Sequence, residues 1–410
     1  MMKITGISSK QRKLIIYEDT KYYDGKEYHQ TTKEQLHEWI FSKSYTSKYI
    51  PIKKHEEKTF EQTFKDFVKT ANALRYGKAS LGLGEESESL VNFYKTGNSI
   101  QTAKTIFFNY CNKEKIKPEP ITDQEYEFIN NSTTGALMFG NNGYTGPVYE
   151  YDINSFYPNI MKSNQFKIPI KQGEIKTLSK IEFEKMKNTF FCYGIYKCKI
   201  SSEQPNKLFR FNKNNFYTTQ SLRHAILLGL NIELIEEKDN FLYYSKDTLI
   251  QGNKLFGYFV ETLYKLKKEN PNLKEFKEIL NCLWGLLSKQ KKTSIVIDMN
   301  EPSDIDLDTD KINILSQVLE GDKITITYQY KNNNFVYDFG RMKPFLLSQG
   351  RLKLCELLVN HIENIEQVNT DGFKSSKKLD IECGDGIGEL RYEGERKNVK
   401  IINLNKVIDV

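Results

Sequence analysis

The chain has 410 residues, with 60 Lys and Arg against 53 Asp and Glu and a formal net charge of +7. Hydrophobic residues make up 39% and charged residues 28%, which favours packed cores over wholesale disorder and, at this length, two or three domains. No apolar run approaches the roughly 18 residues of a membrane span, so no membrane partner is expected. Met1 to Lys10 carries no apolar stretch and does not read as a secretory signal. Cys111, Cys192, Cys198, Cys282, Cys355 and Cys383 are scattered without a CxxC pair. That argues against a zinc site or a disulfide framework and points to a reducing, intracellular setting. The modest positive charge is compatible with a polyanionic partner but does not decide for one.

In chain order, Lys13–Glu18 (KLIIYE) reads as a strand, and Thr32 as the cap of a helix bearing Leu36, Trp39 and Ile40. Ala79–Glu85 (ASLGLGE) reads as a break. Ser99–Tyr110 is a buried helix, Pro118–Thr122 a loop and Asp123–Ile129 a short helix. Turn chemistry over Gly135–Gly146 leads into a strand at Pro147–Ile153 and a helix start at Ser155–Lys162, which Ser155 is suited to cap. Thr219–Gly229 is a helix with a cap at one end and glycine at the other, followed by a strand at Leu230–Ile235. Gly257–Glu269 is a basic amphipathic helix and Asn272–Leu287 a second helix, running into Lys289, Lys291 and Lys292. An acidic run, Asp304–Asp310, precedes a β-rich stretch, Ile312–Phe339, and Pro344–Asn360 is a third long helix. Ile362–Val368 and Phe373–Lys377 flank Asn369-Thr370-Asp371-Gly372, which is hairpin chemistry.

Three segments carry chemistry together. Asp152-Ile153-Asn154-Ser155-Phe156-Tyr157-Pro158 sets a carboxylate at a strand end, just before backbone N–H groups that suit phosphate oxygens. Lys277, Asn281 and Trp284 recur at i, i+4 and i+7 of one helix and offer a cation, an amide and a flat aromatic ring on one face. Asn369-Thr370-Asp371-Gly372 puts a second carboxylate on a turn. Two carboxylates from separate strands can hold Mg²⁺ together with substrate phosphates and support two-metal phosphoryl transfer.

In their order and spacing these segments resemble family B DNA polymerases, most closely the protein-primed branch of viruses, phages and linear plasmids. DINSFYP (Asp152–Pro158) resembles motif A, KEILNCLWG (Lys277–Gly285) motif B, and NTDG (Asn369–Gly372) motif C. Tyr217–Gly229 resembles the segment between motifs A and B, Gly388–Glu393 (GELRYE) the GKLKxE segment, and Lys406-Val407-Ile408 the KxY motif; Ser132–Ala136 stands where this branch carries YxGG. The similarity covers about Ser99 to Val410. It implies an α+β fold: a family B palm, an antiparallel sheet with helices, plus helical fingers and a mixed N-terminal domain. The implied divisions are 1–95, a degenerate or replaced exonuclease region or a cap of unrelated fold; 96–250, palm with motif A; 251–292, fingers with motif B; and 293–410, palm with motif C and the KxY-like end.

The resemblance also implies an activity, template-directed addition of dNTPs to a primer 3′-hydroxyl with two Mg²⁺ ions, Mn²⁺ being a substitute. Asp152 and Asp371 would be the direct metal ligands, with the Ile153 carbonyl and Asn369 beside them. Asn154, Ser155, Phe156 and Tyr157 would line the nucleotide, Tyr157 rejecting a ribose 2′-hydroxyl. Lys265 and Lys277 would bind phosphates, and Asn281, Trp284 and Gly285 would face the incoming nucleotide. Thr370, Lys289 and Lys406 would contact primer and DNA. The implied partners are primer–template DNA, dNTPs and a terminal protein or processivity partner, in replication of a viral or mobile-element genome.

The sequence departs from the family in several places. Asn369 replaces the first aspartate of motif C, so reduced or metal-shifted activity is expected. Trp284 replaces a tyrosine, Cys282 a serine and Ile408 the tyrosine of KxY, and Thr133 and Ala136 alter the YxGG position. The only acidic DxE before motif A is Asp123-Gln124-Glu125, in a predicted helix, so no exonuclease site is expected. The similarity stops at Val410, where the family continues into a thumb, and poor processivity is expected unless a partner supplies the grip or the chain is part of a split enzyme. The alternative reading is a catalytically decayed palm that binds nucleic acid or a partner. Template-independent terminal transfer is a third.

Overall fold

The structure, a computed structural model, describes residues 12–41, 49–80, 90–204, 206–300 and 307–410. It divides into two compact units, residues 1–115 with 258–283 and residues 116–257 with 284–410. The architecture is α+β.

The first unit carries a four-stranded sheet of β1 (Lys13–Glu18), β2 (Lys21–Tyr23), β3 (Tyr28–Gln30) and β4 (Tyr49–Lys53) in the order β3-β2-β1-β4. β1 pairs antiparallel with β2 and parallel with β4. Its consecutive buried residues Leu14, Ile15 and Ile16 suit a strand covered on both faces. The Lys33–Phe41 helix lies between β3 and β4 in the chain, and Leu36 and Ile40 pack on Ile15. Thr32 caps this helix as expected, its Oγ1 accepting the Gln35 N–H at 3.2 Å.

A long helix, Phe60–Ser80, was not anticipated, although Thr59 Oγ1 accepts the Gln62 N–H at 3.1 Å in the same way. Ala79 and Ser80 complete it, and residues 81–85 of the expected break lie outside the described residues, as do Met1–Lys10. The Ser99–Lys113 helix is capped by Asn98 and buries Ala103, Ile106, Phe107 and Cys111.

The second unit is built on a six-stranded sheet, all of whose pairings are antiparallel. It holds β5 (Met138–Gly140) and β6 (Thr145–Ile153) from one part of the chain. Between them and the rest of the sheet come β7 (Lys167–Pro169), β8 (Glu174–Lys176), β9 (Gly194–Ser201), β10 (Phe216–Thr218), β11 (Asn231–Leu234), β12 (Phe241–Tyr243) and β13 (Leu249–Gln251). β8 to β12 form a smaller sheet whose core gathers Phe183, Tyr196, Cys198, Tyr217, Leu222 and Phe241.

β14 (Thr293–Asp298), β15 (Ile312–Glu320) and β16 (Lys323–Tyr330) make a three-stranded sheet with much exposed apolar surface. Asp304 and Asp306 of the acidic run before it lie outside the described residues, whereas Asp308 pairs with Lys311 at 2.7 Å. β17 (Ile365–Asn369), β18 (Gly372–Ser375), β19 (Leu390–Asn403) and β20 (Lys406–Asp409) complete the large sheet in the order β20-β19-β6-β18-β17-β5.

The Met342–Leu358 helix begins before Pro344, which falls in the first turn, where no N–H is needed. It packs on the Phe156–Met161 and Thr219–Leu227 helices, and Thr218 Oγ1 donates to Ser348 Oγ at 2.7 Å. Arg341, just ahead of it, is fully buried and forks onto Glu125, with both nitrogen–oxygen distances 2.7 Å. Tyr244 donates a further bond to Glu125 at 2.7 Å.

Candidate active site

The two motif aspartates arrive from different parts of the chain and meet through backbone pairing. β6 lies between β18 and β19, and Asp152 stands opposite Gly372 on one side and Arg391 on the other. Residues opposed across an antiparallel sheet share a face, so Asp152, Gly372 and Arg391 point the same way. β17 and β18 are joined by the two-residue turn Thr370-Asp371, with Asn369 opposite Gly372. The expectation of a hairpin here holds, but the left-handed position is Thr370 (φ +67°), not the glycine.

Gly372 meets a different demand. A Cβ there would lie 3.0 Å from the Tyr151 carbonyl oxygen and 3.3 Å from Asp152 Oδ1, so the Asp152 carboxylate leans over the residue next to Asp371. The link is closed by the Ile153 N–H, which donates to the Asp371 carbonyl at 3.0 Å. Asp152 and Asp371 are both half-buried, and Asn369 is exposed at the end of a strand whose preceding four residues are buried.

After Ile153 the chain breaks from the sheet. The Asn154 N–H donates to the Glu389 carbonyl at 3.0 Å and its own carbonyl accepts from Gly388 at 2.7 Å, which sets the GELRYE segment against motif A. Ser155 takes the left-handed conformation (φ +53°) and begins the Phe156–Met161 helix. It stands at the cap position but makes no side-chain capping bond; its hydroxyl donates to Asn154 Oδ1 at 3.2 Å. The expected serine cap is therefore replaced by a backbone turn, because a left-handed cap residue does not present its oxygen to the following N–H groups as an extended one does.

Tyr157 is buried to 8% exposure, with its ring 5.4 Å from that of Trp284, so motif A and the end of motif B meet here. Burial pushes the Tyr157 phenol up to about 12, Asp371 adds to that shift, and Arg351 opposes it. Arg351 is itself almost fully buried and donates to the Thr134 and Gly135 carbonyls at 3.0 and 2.7 Å. Burial lowers its guanidinium to about 10, partly offset by Tyr157. Arg210 donates to the next carbonyl, that of Ala136, at 2.8 Å, so two arginines hold the Thr134–Ala136 backbone.

Lys265, Lys277 and Asn281 lie in the first unit on exposed helical positions, and Lys265 is 4.0 Å from Glu269. Lys277 and Asn281 share the open side of the Lys274–Leu287 helix, whose Phe276, Ile279, Leu280, Leu283 and Leu287 are buried. Trp284, Gly285 and Lys289 belong to the second unit, the last two exposed. Thr370 Oγ1 donates to Asn369 Oδ1 at 3.3 Å. Lys406 is exposed at the start of β20; the turn before it is tied back to β17 by Gln367 Nε2, which donates to the Leu404 carbonyl at 3.0 Å.

Arg391, Gly350 and Arg351 were not singled out from the sequence. Only Arg391 had a signal there, its place inside GELRYE. Asp123-Gln124-Glu125 is scaffold, since Glu125 is spent on Arg341 and Asp123 Oδ1 accepts the Asn333 N–H at 2.9 Å. Among the described residues no group of three or more Asp, Glu, His or Cys side chains is arranged to hold a metal ion, so the acidic donors here are a pair.

No family model matches the chain, and no curated protein does. Solved structures do. Phi29 DNA polymerase complexed with single-stranded DNA superposes with a TM-score of 0.55 at 13% identity, over 81% of this chain and 56% of that one. The same polymerase complexed with primer–template DNA gives the same values. Its ternary complex with incoming nucleotide substrates gives 0.52 at 14% identity, over 81% and 57%. This chain thus shares a fold with a DNA polymerase while spanning little more than half of its length.

Proposed function

We propose that this chain is a DNA-directed DNA polymerase that adds dNTPs to a primer 3′-hydroxyl. One observation carries the reading: Asp152, on β6, and Asp371, in the turn that enters the adjacent β18, are tied together by the bond from the Ile153 N–H to the Asp371 carbonyl. The fold shared with phi29 DNA polymerase supports it. Mg²⁺ is usually held by one or two carboxylates together with substrate phosphates rather than by an all-protein cage, and a pair of aspartates fits that donor set. Asp152, Asp371 and the Ile153 carbonyl would hold Mg²⁺, or Mn²⁺ in its place, and the ions would supply Lewis-acid stabilisation of phosphoryl transfer.

The remaining roles belong to the chain itself. The buried Tyr157 ring forms a wall that a 2′-hydroxyl would strike. Trp284 packs on it and offers its free face to the nascent pair. Asn154, Ser155 and Phe156 shape the turn beneath the triphosphate. Gly285 faces the nucleotide, and Thr370, Lys289 and Lys406 bind primer and template. Primer–template DNA, dNTPs and a terminal protein or processivity factor are the proposed partners, in replication of a viral or mobile-element genome.

Primer extension on a short primed template, with Mg²⁺ and with Mn²⁺, tests this reading. Wild type should extend, Asp152→Ala should lose at least about a thousandfold, and Asn369→Asp should gain rate or broaden metal use. A second reading is favoured by Asn369, which removes one negative charge from the site: a palm that binds DNA without catalysis. DNA binding by wild type, with no extension by wild type or by Asn369→Asp under either metal, would establish that reading instead.

A further inference from the structure

Tyr157 rests on the Met342–Leu358 helix at a glycine. A Cβ at Gly350 would lie 3.1 Å from Tyr157 Cε1, 3.4 Å from its hydroxyl and 3.3 Å from Phe156 Cε1. Gly350 lies inside a regular helix, and its backbone is not among the positive-φ glycines. Alanine would be the better helix former there. The absent side chain therefore answers to the aromatic ring, not to the backbone.

The next residue, Arg351, is 4% exposed and spends its donors on the Thr134 and Gly135 carbonyls and, at 3.5 Å, on Ser221 Oγ. Among the described residues no carboxylate pairs with it. A buried guanidinium without a counter-ion is costly, and stability alone gives no reason for one. What it achieves is attachment: it fixes the Thr134–Gly135 backbone to the helix on which Tyr157 lies. With Trp284 packed on it as well, the Tyr157 ring has little freedom to move.

We propose that Gly350 and Arg351 are the seat of Tyr157 and so set how strictly the site distinguishes deoxyribonucleoside from ribonucleoside triphosphates. This rests on the polymerase reading above. Discrimination against a 2′-hydroxyl depends on where the ring edge stands, and sub-ångström displacement of a positioning group is enough to alter a selectivity ratio. A methyl group at residue 350 pushes the ring off the helix and narrows the sugar space. Loss of the guanidinium, whose Nη1 bonds both carbonyls, lets the seat relax and widens it. Gly350 and Arg351 are positioning residues, acting through Tyr157.

The test is incorporation of dATP and of ATP opposite a template thymine by the full chain, with kcat and KM measured separately and the thermal midpoint recorded for each variant. Gly350→Ala should keep its kcat and midpoint, raise KM for dATP about threefold to tenfold, and raise the dATP/ATP ratio at least about threefold. Arg351→Met should lower that ratio at least about tenfold, with Arg351→Lys, which keeps the charge but not the planar guanidinium and its reach to Ser221, in between. Should Arg351→Met fail to fold, Arg351→Lys alone must still shift the ratio.

Tyr157→Val is the control. If it lowers the ratio while Gly350→Ala and both Arg351 variants stay within about twofold of wild type, the seat is refuted and the polymerase reading stands. Absence of any extension by wild type overturns both. In a Trp39→Phe chain, Trp284 is the only tryptophan, and its fluorescence gives dATP and ATP affinities without turnover. An unchanged affinity ratio in Gly350→Ala and Arg351→Lys would also refute the seat.

Discussion

Arg341 and Arg351 flank the first half of one helix, and both are almost wholly removed from water. Arg341 meets the Glu125 carboxylate with two short bonds and donates its remaining hydrogens to the Glu119 and Pro120 carbonyls. Arg351 meets two carbonyls and a hydroxyl and keeps its charge uncompensated. The first arrangement satisfies itself and locks the Asp123–Ser132 helix to the scaffold. The second leaves a positive field beside Tyr157 and, further on, His224, and both feel it. Burial of a charge thus has two meanings in this molecule, and the presence or absence of a carboxylate separates them.

The sharpest way to break that comparison is Glu125→Leu. It strands the Arg341 guanidinium in the interior and should cost about 3–5 kcal/mol in denaturant unfolding, whereas Glu125→Leu with Arg341→Met should recover most of the loss. A loss under about 1 kcal/mol in the single variant would show that the pair holds nothing together.

His224 reports on the other side. It is buried, its Nε2 has no hydrogen-bond partner, and burial first, then Arg351, holds its pKa down to about 3, against the hydrogen bond that the ring donates to the Leu208 backbone. The unfolded chain takes up this proton below about 6.5, and the folded chain resists it until about 3. Stability from this group is therefore complete above about 6.5 and drains away as pH falls, by at most about 1.4 kcal/mol per pH unit. His224→Phe should flatten the slope between pH 6.5 and 4, and an unchanged slope would assign the acid sensitivity elsewhere.

Smaller again is Arg351→Met. Removing an uncompensated buried charge should change stability by less than about 1.5 kcal/mol, the lost cation offsetting the carbonyls it leaves unbonded. A loss as large as that of Glu125→Leu would erase the distinction between the two arginines. Smallest is Lys265→Ala, at an exposed helical position 4.0 Å from Glu269, which should alter stability by less than about 0.5 kcal/mol. Any large effect of this variant would then have to appear in nucleotide affinity rather than in folding.

Much of this was legible in the chain of residues. Lys13–Glu18 forms the strand that its apolar run indicated, Thr32 caps the helix it precedes, and the NTDG segment makes its hairpin. These features depend on neighbours a few residues apart, so local pattern suffices. The Phe60–Ser80 helix carries a comparable local signal, a threonine at its start whose Oγ1 accepts the Gln62 N–H.

What local pattern could not supply is who meets whom. Motif order indicated that Asp152 and Asp371 belong together, but only the insertion of β6 between β18 and β19 sets Asp152 over Gly372 and Arg391 beside it. Ser155 was suited to cap by composition, yet the turn from sheet to helix forces it left-handed and turns its hydroxyl to Asn154. Gly350 has no sequence signal at all, because its reason is a ring almost two hundred positions away in the chain. The sequence alone determined the elements and the chemical groups, since those follow from periodicity and side-chain type. The tertiary structure alone decided which buried cation is neutralised, which is not, and what stands beneath Tyr157, since those depend on contacts between segments that sequence spacing does not encode.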